Sequence, residues 1–156
     1  MSFTVTLPDG FHYVGAALLS TVFLLLGQNM TVSKYRKRAG IKYPQLYAEK
    51  AEAEASNDAM MFNCAQRAHQ NTLENIPLLY VLTTLVGVKY PILSALSCAT
   101  WVLSRVSYTR GYIKGGPGKR VSPLYLLGSM MSVGQLLVAT YNVAGWLYAD
   151  LASKSL

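Results

Sequence analysis

From Phe11 to Met30 the chain runs without a single Asp, Glu, Lys or Arg. That is the roughly 20 residues a helix needs to cross the hydrocarbon core of a bilayer. Lys34, Arg36, Lys37 and Arg38 follow at once, Asp9 rather than a basic region precedes it, and no small-residue cleavage pattern comes after it. The run therefore reads as a retained span and not a cleaved signal. Three further apolar stretches, 65–87, 91–112 and 122–148, carry more polar residues, as helices do when they face one another or a site. With 52% hydrophobic and 13% charged residues, against about 25% charged in soluble proteins, the composition predicts an all-α integral membrane protein. Residues 1–156 are read as one domain, a bundle of four transmembrane helices.

The basic residues predict its orientation. Lys34, Arg36, Lys37, Arg38, Lys42 and Lys50 lie between spans 1 and 2, and Arg110, Lys114, Lys119 and Arg120 around the end of span 3. The connection between spans 2 and 3 has only Lys89, and the C-terminus only Lys154. Positive charge stays cytosolic, so these two connections face the cytosol and both termini the lumen. A net charge of +7 would suit nucleic acid, but these residues border apolar spans and match no nucleic-acid-binding signature. Anionic lipid headgroups are the simpler partner. Cys64 and Cys98 form neither a disulfide framework nor a metal site. Both read as small buried residues, with a catalytic role for Cys64 as the alternative.

Thr31 to Met61 is the longest connection. Its segment Ala48-Glu-Lys-Ala-Glu-Ala-Glu-Ala55 favours helix by composition yet has no apolar face, which predicts a mobile loop with at most a transient helical turn. Pro77 removes a backbone hydrogen bond within span 2 and crowds the carbonyl of Leu73, predicting a kink. Gly115-Gly116-Pro117-Gly118 breaks the chain before span 4.

Polar chemistry concentrates in span 2. Arg67, Asn71 and Glu74 fall at i, i+4 and i+7, one stripe of a helix, with Gln70 at its edge. Ionisable residues at bilayer depth mark a functional site. The Arg67 fork suits a carboxylate, Glu74 an ammonium group, and Asn71 both donates and accepts. A zwitterionic, amino-acid-like ligand would satisfy all three. The alternative is an internal Arg67–Glu74 bridge, which must close about 10.5 Å of helical rise and looks strained, leaving a relay through Asn71 or pairing with another helix open. Span 3 adds Arg105, Tyr108 and Tyr112 on one face, either an interfacial aromatic belt or hydroxyl donors to a ligand or thiolate.

Arg67-Ala-His-Gln-Asn71-Thr-Leu-Glu74, then Arg105-Val-Ser-Tyr108-Thr-Arg-Gly-Tyr112, then Lys119-Arg120, resemble the MAPEG family of four-span membrane proteins of eicosanoid and glutathione metabolism. The stretch from Phe62 to Glu74 and the Gly-Pro-Gly-Lys-Arg loop look most like the type 3 microsomal glutathione S-transferases. The resemblance implies a homotrimer of the endoplasmic reticulum membrane, the outer mitochondrial membrane being the alternative, with glutathione bound between subunits near the cytosolic surface. It implies that Arg67, Asn71 and Glu74 grip the tripeptide, that Tyr108 and Tyr112 reach it from a neighbouring subunit, and that Arg36 meets a glutathione carboxylate. Arg120 matches the arginine that acts on the thiol in the cysteinyl-leukotriene synthases. The preceding loop is one residue longer than theirs, which leaves Lys119 as the alternative. Asn75 stands where some members have tyrosine, and His69 reads as a packing or subunit-contact residue over a catalytic base.

Glutathione has two carboxylates and one ammonium group, the complement of two arginines and a glutamate. Its thiol, with a pKa of about 8.5 like that of cysteine, is mostly protonated at neutral pH, and a guanidinium in a low-dielectric site would lower that value. The resemblance thus implies a membrane glutathione transferase acting on lipophilic electrophiles, with peroxidase activity on lipid hydroperoxides. The alternative is a non-catalytic lipid-binding scaffold, like a branch of the family understood to lack the span 2 arginine. A small transporter would need paired half-helices or an inverted repeat, and the sequence has neither.

Overall fold

A computed structural model describes residues 6–154. Five α-helices and one 3-10 turn account for the ordered elements: α1 (Phe11–Ala39), α2 (Lys50–Ala55), α3 (Asn57–Gly87), α4 (Pro91–Gly115), the turn Pro117–Lys119, and α5 (Pro123–Lys154). The four long helices alternate in direction. α1 packs on α3 and α4, and α5 packs on α3 and α4 from elsewhere around the bundle. α1 and α5 are each long and apolar enough to cross a membrane.

The four apolar stretches overlap the long helices, each of which runs further at one end. α1 carries on past Met30 to Ala39, because nothing in the basic run opposes helix. Arg36, Lys37 and Arg38 fill its last turn, where positive charge complements the helix dipole. Gly40 then takes the left-handed conformation (φ 69°), and the Ile41 amide donates back to the Arg36 carbonyl at 3.2 Å. The predicted mobile loop is a correction: Lys50–Ala55 is a formed helix. A reciprocal capping box holds it, the Glu49 amide donating to the Glu52 carboxylate at 2.7 Å. Ser56 caps α3 in turn, so α3 begins well before residue 65. Pro77 is accommodated without ending α3.

At the centre, Val14, Ala17 and Leu24 of α1 meet Ile76 and Leu79 of α3 and Ala95, Cys98 and Trp101 of α4. A second cluster, including Val32, Ile41, Ala48, Phe62 and Ile113, closes the basic end and pins the α1–α2 connection to the bundle. Both cysteines are free and buried. Gln28 joins three helices, donating to Thr72 Oγ1 at 2.9 Å and Thr109 Oγ1 at 2.8 Å. α5 is inverted relative to a helix folded in water. Its buried positions are Gly128, Gln135, Ala139 and Asn142, while Met130 and Leu137 are 70% and 67% exposed.

Candidate functional site

The end of the bundle that carries α1's basic turn also holds the start of α3, the end of α4 and the start of α5. Most of the sequence-predicted residues meet there, on one side formed by α3, α4 and α5. On α3, Arg67 Nη1 lies 2.7 Å from Glu74 Oε1, with side-chain exposures of 44% and 55%. The internal bridge judged strained from helical rise is therefore formed. Both side chains are long enough to meet midway along the stripe, so the rise between their backbones does not keep them apart. The pair is also accessible from outside the chain.

Asn71, between them, turns inward. Its side-chain oxygen accepts from Arg105 Nη1 of α4 at 2.5 Å. Arg105 is buried among rings, its guanidinium carbon 4.8 Å from the centre of Trp101, 5.7 Å from Tyr108 and 5.5 Å from Tyr125. Such contacts stabilise a desolvated cation, and Nε of Arg105 still has no partner. Tyr108 is buried, edge-on to Tyr112 at 5.6 Å and tilted against Tyr125 at 5.1 Å. Within one chain, Arg105 thus links Asn71 of the stripe to the Tyr108 ring.

Arg120 follows the 3-10 turn. Its guanidinium sits 5.9 Å from the Tyr112 ring centre and donates to the Pro117 carbonyl. Lys119 turns the other way, its stem against Gly115. Of the two candidates, only Arg120 faces the tyrosines.

Arg36 stands apart. It is buried, donates to the Gln45 carbonyl at 2.7 Å, and lies 4.3 Å and 4.5 Å from the ring centres of Tyr43 and Phe62. In this chain it clamps the α1–α2 connection to α3. It sits on α1, and its partners lie in the connection and at Phe62 near the start of α3.

Three contributors were not singled out from the pattern. Tyr47, in the α1–α2 connection, donates to Gln70 Oε1 at the edge of the stripe. Burial pushes its phenol above the ordinary value of 10, with Arg67 pulling it back. Nothing local marks Tyr47: it lies in an irregular segment with no periodicity. Tyr125 and Ser129 of α5 complete a narrow cleft of about 180 Å3. Arg105 and Asn75 also line it, and it descends between Leu78 and Leu82 towards the apolar middle of the bundle. Asn75 Nδ2 donates to the Asn71 carbonyl at 2.7 Å, so an amide occupies this corner of the cleft.

The site therefore offers an exposed cation–anion pair, a second cation near a tyrosine edge, and a polar-to-apolar cleft. The family model that matches the sequence, over residues 14–141, is that of the MAPEG family.

Proposed function

The chain belongs to the MAPEG family, and from that premise we propose that it is a membrane glutathione transferase of the type 3 microsomal kind, with glutathione-dependent peroxidase activity on lipid hydroperoxides. The family includes glutathione transferases and related membrane proteins. The observation that carries the proposal is the accessible Arg67–Glu74 pair, with Asn71 between them joined through Arg105 to Tyr108, and Arg120 over the Tyr112 ring. A zwitterionic peptide can take over both halves of that pair, its carboxylate on Arg67 and its ammonium group on Glu74. Asn71, fixed by Arg105, is placed to receive the peptide backbone.

All four long helices span the bilayer in this proposal. Each exceeds the roughly 20 residues required, and the leucine-rich outer face of α5 suits a lipid solvent. The basic end is cytosolic, both termini are lumenal, and the membrane is that of the endoplasmic reticulum. The working assembly is the homotrimer the resemblance implies. In that assembly the neighbouring subunit closes the open side of the site. Arg36, on the far side of α3, would serve an adjacent subunit's glutathione.

Arg120 holds the glutathione sulfur as thiolate, which raises its concentration at neutral pH without a dedicated general base. The thiolate attacks an electrophilic carbon of a lipophilic substrate reaching the site along the cleft. A carbon–sulfur bond forms as the bond to the leaving group or epoxide oxygen breaks; a displaced halide departs with the electron pair, whereas an opened epoxide oxygen keeps it, stays in the product and takes a proton from water. With a hydroperoxide, sulfur attacks the terminal oxygen, the O–O bond breaks, and the alcohol departs. A second glutathione then reduces the oxidised sulfur, giving the disulfide and water.

Steady-state kinetics of purified Arg120→Ala, Arg67→Ala and Glu74→Ala test the roles. Arg120→Ala should lower kcat with little change in KM for glutathione, and the other two should chiefly raise KM. Unchanged kcat in Arg120→Ala would remove Arg120 from the chemistry.

A further inference from the structure

On the side of α4 turned away from Tyr108, three cations face a single groove of about 700 Å3: Arg110 and Lys114, one turn apart, and Lys119 of the 3-10 turn. All three are exposed, and among the described residues none of their side chains has an ion-pair or hydrogen-bond partner. Like charges gathered without a counter-ion repel one another, so the fold must place them deliberately. Two glycines show how. A Cβ on Gly111 would overlap the Lys119 carbonyl, and one on Gly115 would overlap the Lys119 side chain. Only because both positions lack a side chain can the turn lie directly on α4 and fold Lys119 back over the groove.

The walls change character along the helix. Next to the cations, the hydroxyls of Ser107 and Ser122 pair at 2.8 Å. Further from the helix end, the groove is bounded by Leu103, Val106 and Leu124. Charge at the helix end grading into hydrocarbon within one groove matches an amphiphile with an anionic head. A free inorganic anion would satisfy the cations and leave the apolar wall bare. Basic pockets of this kind beside transmembrane helices suit anionic headgroups.

We propose that this groove binds an anionic phospholipid, its phosphate held by Arg110, Lys114 and Lys119 and an acyl chain laid along Leu103, Val106 and Leu124. The site is separate from the stripe on α3, and its occupancy does not depend on glutathione. Native mass spectrometry of the full chain, delipidated in detergent and titrated with phosphatidic acid or phosphatidylcholine, tests it. The wild type should retain phosphatidic acid in clear preference to phosphatidylcholine. Arg110→Gln/Lys114→Gln should bind phosphatidic acid about thirtyfold more weakly, from roughly a fivefold contribution per basic residue. Lys119→Gln, which keeps the packing stem on Gly115, should weaken it about fivefold by the same reckoning and gives the same information should the double variant not fold. Lys89→Gln, at the other end of the bundle, should change nothing. Equal retention of the two lipids, or undiminished retention by the folded variants, would overturn the proposal. So would displacement of the lipid by millimolar inorganic phosphate, which would mark a small-anion site.

Discussion

Replacing Glu74 by glutamine separates a ligand-exchanging ion pair from one that merely fastens the helix surface. In the free chain the Arg67 fork holds Glu74 at 2.7 Å, with about half of each side chain exposed. An exposed pair of this kind contributes about 0.2–1 kcal/mol, so a ligand opens it at small cost. Glutathione would regain that and more, because each charge-assisted hydrogen bond contributes about 1.5–3 kcal/mol. Glu74→Gln removes the acceptor for the ligand's ammonium group and leaves Arg67 in place. Its affinity for glutathione should therefore fall roughly ten- to hundredfold, while the melting temperature changes by no more than the loss of a weak surface pair. Calorimetric titration and thermal unfolding of the same preparation measure both. A glutathione Kd within twofold of wild type, together with a lowered melting temperature, would refute the exchange and leave the pair a structural clasp.

Two other perturbations address the surroundings. Gln28→Leu removes two donor bonds that tie α1 to Thr72 and Thr109. Such bonds average about 0.6 kcal/mol each in membrane helices, so unfolding in detergent should show a loss of about 1 kcal/mol with glutathione affinity unchanged. Tyr47 has its phenol raised above 10 by burial, so the folded chain favours the protonated form. Its stabilising contribution is present below pH 10 and is lost as pH rises through the raised value. The melting temperature of the wild type should therefore fall more steeply above pH 10 than that of Tyr47→Phe; parallel profiles would show that the phenol does not couple to folding.

The helices were legible because apolar runs of spanning length and basic punctuation are strong one-dimensional signals. Their ends were not. The basic turn at Arg36–Arg38 resembles a loop in composition but is helix-compatible and dipole-favoured. The capping box at Glu49 and Glu52 orders a stretch whose lack of an apolar face suggested mobility. The stripe on α3 was visible from spacing alone, yet spacing misjudged the Arg67–Glu74 contact because side-chain reach, and not backbone rise, decides it. Arg105 appeared in the sequence as one member of a tyrosine face; only packing shows that it fixes Asn71. Tyr47 comes from an irregular segment and Tyr125 from the first turn of α5, and only the fold brings them beside the stripe and Arg105. Arg36 matches a ligand contact by resemblance, and packing adds what spacing does not show, its clamp on the α1–α2 connection.

The most direct measurement is the thiolate absorbance of glutathione titrated into purified protein at neutral pH, where free glutathione is mostly thiol. Saturable appearance of thiolate in the wild type, abolished in Arg120→Ala while binding persists, is the result predicted. Binding with no thiolate signal, or no binding at all, would contradict the proposal that these guanidinium groups seat glutathione and ionise its sulfur.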